Sequence, residues 1–247
     1  MIELYPYERI DDLQNGTLKI IQNPNAFCFG TDAVLLAHFA RIKSNLRVLD
    51  LGTGTGILPL LIWGQCPVRE IHAIEIQSAM ADMARRSMLL NQLDAHIHVH
   101  SGDYRNPALM KPLGAFDLIV ANPPYHKQGT GEPHHNPSAH VARFEVTTSL
   151  QELIQVAAKA CKPGGRFCIV HQPKRLDELI NGMQTYHFAV KRMRLVHPNM
   201  HKEATLVLLE AVYQGKPGLR IAEPLFLYEP DGTISPQIQA IYQGGQA

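Results

Sequence analysis

The sequence predicts an α/β fold: a doubly wound, Rossmann-like, mostly parallel seven-stranded sheet with a closing antiparallel strand pair. Three observations carry this expectation. Short apolar runs alternate with helical periodicity from residue 46 to residue 186, the pattern of a parallel sheet covered by helices on both faces. A glycine loop, Gly52-Thr53-Gly54-Thr55-Gly56, follows the first of those runs, where a first βα turn binds a ligand. Two β-rich runs, His187–His197 and Ala204–Tyr213, are separated only by residues 198–203. That leaves no room for a crossover helix, so the two runs should be antiparallel neighbours.

The elements follow in order. Asn15-Gly16 is a hairpin turn signal, and Thr17–Gln22 reads as the strand after it. Thr31 or Asp32 can cap a helix through Ala40. Leu46–Leu51 is a strand. Ile57–Trp63 opens a helix in which Pro59 is tolerable because it falls in the first turn or so. Glu70–Glu75 is the second strand and Gln77–Asn91 a helix with Met80, Met83 and Met88 along one face. His96–His100 and Phe116–Ala121 are the third and fourth strands. Val146–Cys161 is an amphipathic helix ended by Lys162-Pro163-Gly164-Gly165. Arg166–His171 is the fifth strand, and Pro173–Tyr186 a helix with proline at its start. The tail has a short strand at Leu225–Tyr228, a turn at Asp231-Gly232 and a helix at Pro236–Gln243. One domain is expected over 1–247: a lead-in at 1–45, the Rossmann-like core at 46–213 and a C-terminal extension at 214–247. Residues 126–145 show no periodicity and read as a lid or binding loop.

Composition narrows the class. The chain has 247 residues, 45% hydrophobic and 18% charged, with a net charge of +1, an ordinary globular balance that neither demands nor excludes a nucleic-acid partner. Cys28, Cys66, Cys161 and Cys168 are scattered, with no C-x-x-C; this predicts a reducing compartment and neither a disulfide frame nor a zinc site. The N-terminus is too acidic and polar for a signal peptide, and the longest apolar runs are strand-length. A cytoplasmic location is expected.

The chemistry concentrates at predicted strand tips. Phe116–Ala121 stops at Asn122-Pro123-Pro124-Tyr125, because proline donates no ladder hydrogen bond. An amide and an aromatic ring at the carboxyl end of a central strand suit a flat, amine-bearing group. The glycine loop does not fit G-x-G-x-x-G, since the third glycine would fall at Ile57 or Pro59. Asp50 precedes the first glycine, and a pyrophosphate would avoid it; the acid suits a cationic or hydrogen-bond-donating ligand. Glu75 ends the second strand, where an acid accepts from ribose hydroxyls, and Asp103 lies just past the third. Three acids at successive tips fit an adenosyl ligand carrying positive charge, S-adenosylmethionine. Taken singly, Asp50 and Asp103 also read as turn residues or caps, and the proline pair as a strand-ending turn.

Together, DLGTGTG at 50–56, Glu75, Asp103 and the NPPY of 122–125 resemble the class I S-adenosylmethionine-dependent methyltransferases, and among them the amino-methyltransferases. Asn25–Ala37, Lys162–Arg166, Arg143-Phe144-Glu145, His197-Pro198, Lys202-Glu203-Ala204 and Gly215–Leu219 are similar to the bacterial tRNA(Val) adenine-N6 methyltransferase family, which modifies the adenine 3′ of the anticodon. The resemblance covers most of the chain. It implies cofactor contacts at Thr31, Asp32, Asp50, Gly52, Thr53, Gly54, Gly56, Glu75, Ile76, Asp103, Tyr104 and Asn122. It implies catalytic roles for Asn122, Pro123, Pro124 and Tyr125.

An exocyclic adenine amine is a poor nucleophile because its lone pair is conjugated with the ring. The Asn122 oxygen and the Pro123 carbonyl, accepting from its two N–H groups, would draw the nitrogen toward sp³ geometry. No base is needed before methyl transfer. Tyr125 would stack on a base drawn out of an RNA loop. Lys174, Arg175, Lys191, Arg192, Arg194 and Lys202, with Lys127 and Arg143 beside the long loop, form a candidate RNA-backbone patch; an ordinary solvated face reads equally well for any one of them. His126, His134, His135 and His140 lack cysteine or carboxylate company at ligand spacing, so no metal is expected. Alternative readings are a protein glutamine-N5 methyltransferase, an RNA guanine-N2 methyltransferase, a DNA methyltransferase and a non-catalytic S-adenosylmethionine- or RNA-binding module.

Overall fold

Strand pairing begins before the core. In the computed structural model, which describes residues 2–13, 17–24, 30–125 and 149–243, β1 (Arg9–Leu13) and β2 (Leu18–Gln22) pair antiparallel with Leu13 opposite Leu18. The Asn15-Gly16 turn lies outside the described residues. In α1 (Thr31–Phe39), the helix starts one residue earlier than a Thr31 cap requires. Gly30 is the N-cap, and Thr31 and Asp32 fall inside the first turn, which corrects the expected capping.

The core alternates as the periodicity predicts: β3 (Arg47–Leu51), α2 (Ile57–Gln65), β4 (Glu70–Glu75), α3 (Ser78–Leu90) and β5 (Ile97–Ser101). A short helix, α4 (Pro107–Met110), and a 3₁₀ turn, Lys111–Leu113, precede β6 (Phe116–Ala121); neither is long enough to show a period in sequence. α5 (Leu150–Ala160) opens with a capping box between Ser149 and Glu152, which satisfies backbone donors at its start. β7 (Cys161–His171) begins immediately after α5, five residues earlier than expected, and takes in Lys162–Gly165 through an irregularity opposite Phe116–Leu118. α6 (Leu176–Thr185) follows a 3₁₀ turn at Pro173–Arg175. β8 (Phe188–His197) and β9 (Leu206–Tyr213) are the antiparallel pair. Two short strands, β10 (Arg220–Ile221) and β11 (Leu225–Phe226), and α7 (Pro236–Tyr242) complete the described chain.

The main sheet runs β10-β8-β9-β7-β6-β3-β4-β5, with β11 also on β8. Seven strands make the expected sheet. All pairs from β5 to β7 are parallel, and β9 runs antiparallel to both β7 and β8. The two-residue strands β10 and β11 shield the open β8 edge, a common way of blunting an exposed strand. Residues alternate between faces along each strand. Val48, Ile71, Leu118, Val120 and Val170 pack with α1 and α2, whereas Leu49, Leu51, Ile119, Phe167 and Ile169 pack with α5 and α6. Met80, Met83 and Met88 are buried core residues, and Trp63 stacks on His96 at 4.8 Å. Among the described residues, no helix is long and apolar enough to cross a membrane.

Candidate active site

β5, β4, β3 and β6 are consecutive parallel neighbours, so their carboxyl ends share one edge of the sheet. Asp50 lies opposite Ala73 on β4 and Val120 on β6, and Glu75 lies opposite Ser101 on β5. Asp103, Glu75, Asp50 and Asn122 therefore stand in a row at successive strand tips.

Asp50 is fully buried, and neither its carboxylate oxygens nor the Thr53 hydroxyl has a hydrogen-bond partner among the described residues. Burial pushes the Asp50 carboxyl up to about 7; the nearby Thr53 side chain opposes this, and the Glu75 carboxylate adds to it. A buried acid without a partner is costly and suits a ligand that brings positive charge or N–H donors. The glycine loop is pinned around it. The Gly52 and Thr53 amides donate to the Ile74 carbonyl at 2.9 and 3.0 Å, and the Gly56 amide to the Thr53 carbonyl at 3.0 Å. Glu75 accepts from the Gly54 amide at 2.9 Å and from the Gln77 amide at 2.9 Å, and its burial raises its pKa. Glu75 thus braces the loop, while each oxygen keeps acceptor capacity for a ligand.

The three loop glycines differ. A Cβ at Gly52 or Gly54 would meet nothing within 4 Å, so both α-carbons border open space. A Cβ at Gly56 would lie 2.6 Å from Met88 Cε and 3.3 Å from Ala84 Cβ. Gly56 therefore permits the close approach of α2 to α3. Asp103 is engaged by its neighbour: Arg105 Nη2 donates to Oδ2 at 2.7 Å and the Arg105 amide to Oδ1 at 2.8 Å. The Arg105 guanidinium holds the Asp103 carboxyl below its usual range. A purine amine at this tip would share the carboxylate with that arginine. Ile76 is an exposed apolar side chain directly after Glu75, and Tyr104 packs against the core cluster beneath α5.

At the β6 tip, Tyr125 is fixed from two sides. Its hydroxyl donates to Asp32 Oδ2 at 2.5 Å and lies 3.1 Å from Asn122 Oδ1. It has one proton, and the ionised acceptor at the shorter distance takes it. Asn122 Oδ1 is left with lone pairs for another donor. Burial, reinforced by the Asp32 carboxylate, holds Tyr125 protonated well above its usual range. The His171 ring lies 5.2 Å from the Tyr125 ring; burial pushes His171 down to about 4, so it is neutral. The role of Asp32 as the brace of Tyr125 was missed in sequence. The partners are 93 positions apart, and no local pattern links them. Thr31 Oγ1 lies 3.2 Å from the Tyr242 hydroxyl, which ties α7 to α1 beside the site.

The basic residues divide. Lys174 follows the carboxyl end of β7, Lys202 follows that of β8, and both are exposed. Arg175 pairs with Glu178. Lys191 donates to the Lys216 carbonyl and Arg194 to the Glu223 carbonyl. Arg192 is engaged within the fold. Its guanidinium lies 3.9 Å from the Phe39 ring centroid, donates to the Phe39 carbonyl and pairs with Glu210 at 3.3 Å. Lys127, Arg143 and the loop histidines lie outside the described residues.

Several known proteins resemble the chain. The methyltransferase small domain family model matches residues 17–135. The tRNA1(Val) (adenine(37)-N6)-methyltransferase of Porphyromonas gingivalis is 31% identical over 214 residues, covering 84% of this chain and 80% of that protein. The protein of the same description from Cronobacter sakazakii is 30% identical over 86% of this chain and 85% of its own. A crystal structure of a predicted O-methyltransferase from Agrobacterium tumefaciens superposes with a TM-score of 0.70 at 23% identity, over 87% of this chain and 97% of that one. A Thermus thermophilus 16S rRNA N2 G1207 methyltransferase, solved with AdoMet and guanosine, has a TM-score of 0.57 at 22% identity, over 83% of this chain and 50% of that one. The fold is that of a class I methyltransferase, with its tip residues gathered on one sheet edge. At the level of sequence, the chain belongs to the tRNA1(Val) (adenine(37)-N6)-methyltransferase family.

Proposed function

We propose that this chain methylates the exocyclic N6 amine of an adenine in tRNA, with S-adenosylmethionine as donor, and that its target is the adenine 37 of tRNA1(Val) named for its relatives. The carrying observation is the placement of Asn122-Pro123-Pro124-Tyr125 at the β6 tip, one strand from the glycine loop and the unpartnered Asp50 carboxylate. When bound, S-adenosylmethionine supplies an electrophilic methyl group. Asp50, Glu75 and the open backbone at Gly52 and Gly54 would hold it, with Ile76 as an apolar shelf. These residues fit it because a buried acid without a partner accepts the positive charge that this donor carries.

Asn122 Oδ1 and the Pro123 carbonyl would accept from the two N–H groups of the adenine amine, turning its lone pair toward the methyl carbon. As the N–C bond formed and the donor's S–C bond broke to leave a neutral thioether, the positive charge would pass to the amine nitrogen, where the same two oxygens would stabilise it. The extra N–H proton then leaves to solvent, so the chain needs no tuned base. Tyr125, held by Asp32, would offer its ring to the extruded base. Lys174 and Lys202 would receive the RNA backbone at this sheet edge.

The test is mass spectrometry of nucleosides from tRNA that lacks the modification, after incubation with the purified chain and S-adenosylmethionine. N6-methyladenosine is expected, and Asn122→Ala should lower the rate by about 10²–10³-fold, the size of losing one transition-state hydrogen-bond partner, with donor binding retained. Unmodified tRNA adenine, methylated protein glutamine in its place, or full activity in Asn122→Ala would overturn the reading.

A further inference from the structure

The other end of the sheet carries a second cluster. Glu70 opens β4, the end opposite the proposed active site. His72 on β4 lies directly across from His98 on β5, and Ile74 directly across from His100. Residues two apart on a strand share a face, so His72, His98 and His100 project from one side of edge strand β5 and its neighbour β4. The His72 ring lies 5.1 Å from that of His98 and 5.2 Å from that of His100.

His72 is the key residue. Only 9% of it is exposed, and its Nε2 has no hydrogen-bond partner among the described residues. Nδ1 is 3.0 Å from His100 Nε2, so His100 fixes the ring and leaves Nε2 as the free nitrogen. Glu70 is arranged to match. Arg47 donates to Glu70 Oε1, and Oε2 faces His72 Nε2 at 3.5 Å. That separation is long for a hydrogen bond. It is close to the distance between two ligands of one metal: with metal–ligand bonds of about 2.0–2.1 Å, the edges of a tetrahedron measure about 3.3–3.4 Å. One donor atom each from Glu70, His72 and His98 lies within 4.8 Å of the others.

We propose that Glu70, His72 and His98 form a binding site for a divalent transition metal of the zinc type. Two imidazoles and one carboxylate are a donor set that zinc accepts, with water completing a tetrahedron. Arg47 and His100 act as the outer partners that orient Glu70 and His72. The ion clamps edge strand β5 to β4, away from the strand tips where methyl transfer is proposed, and so serves the stability of this edge. The histidines of the 126–145 loop stand out in sequence because they lie close together, whereas His72 and His98 come together only through the pairing of two strands.

The tag-free full chain, stripped with chelator, is titrated with Co²⁺ and then with Zn²⁺. One Co²⁺ per chain with tetrahedral d–d absorption, displaced by Zn²⁺, is expected, together with a rise in thermal midpoint on Zn²⁺ addition. His98→Gln and Glu70→Gln, both at partly exposed positions that spare the buried ring of His72, should each weaken Co²⁺ binding at least tenfold while methyl transfer to tRNA persists. No Co²⁺ band with the wild-type chain overturns the proposal. So does an undiminished band in both variants, which would move the ion elsewhere, including to the loop histidines.

Discussion

Replacing Asp50 by asparagine tests the electrostatic centre of the proposed active site through stability alone. The Asp50 carboxyl shifts from an ordinary value of 3.8 to about 7 because the side chain is wholly buried. The folded state therefore holds the proton more tightly than the unfolded state. The contribution to stability is fully present below about pH 4 and is lost progressively as pH rises to about 7, staying flat beyond. About three pH units at 1.36 kcal/mol each put the loss on the order of 4 kcal/mol. The neutral amide introduced by Asp50→Asn removes that loss, while its own unpartnered burial takes back about 1–3 kcal/mol. The ligand-free variant should then be more stable than wild type by about 1–3 kcal/mol at pH 8, and less stable at pH 4. Other groups titrate too: Glu75 is raised by burial, whereas His72 and His171 are lowered to about 4 by burial and act in the opposite sense. The difference between variant and wild type cancels the two histidines and retains only the coupling of Glu75 to Asp50, which acts in the same sense as the Asp50 shift. Urea unfolding of both proteins at intervals from pH 4 to pH 8 measures that difference. A difference that does not change with pH would refute the reasoning. With S-adenosylmethionine present the order at pH 8 should reverse, because the charge that destabilises the empty site is the one proposed to bind the donor.

Two further predictions concern neighbouring parts of the site. Gly56→Ala forces a methyl group to within 2.6 Å of Met88 Cε at a backbone φ of +89°, and should cost about 1–3 kcal/mol by overpacking plus about 1–2 kcal/mol of left-handed strain. Gly52→Ala has no such neighbour and should carry the strain alone; a comparison of urea midpoints separates the two. Tyr125→Phe removes the hydroxyl that Asp32 accepts from, a charge-assisted bond worth about 1.5–3 kcal/mol. It should reduce kcat/KM for tRNA by about 10–100-fold with donor affinity unchanged, as measured by initial rates and calorimetry. Equal losses in tRNA turnover and donor binding would assign Tyr125 to the donor pocket.

What could be read from the sequence separates by physical kind. Glu70–Glu75 and Phe116–Ala121 were located to the residue because β-rich runs and their glycine and proline boundaries are local signals. The tip residues are legible for a further reason: in a parallel sheet, position at the end of a strand fixes position in space, so strand order alone places Asp50, Glu75 and Asn122 together. Side-chain pairing carries no such rule. Asp32 reads as a helix cap until Tyr125 is brought to it, and His72 and His98 read as ordinary strand residues until β4 and β5 align. The basic segment from 174 to 202 meets the same limit. Counting charges says nothing about where the donors go, and Arg192 spends its guanidinium on Phe39 and Glu210. The proposed RNA grip from this segment is assigned chiefly to Lys174 and Lys202, which are exposed and follow strands ending at the same edge as Asn122. Charge reversal there should weaken tRNA binding, and should do so far more than Arg192→Glu in whatever fraction of that variant still folds; filter binding at two salt concentrations, with circular dichroism to count folded protein, distinguishes a lost phosphate contact from a lost core.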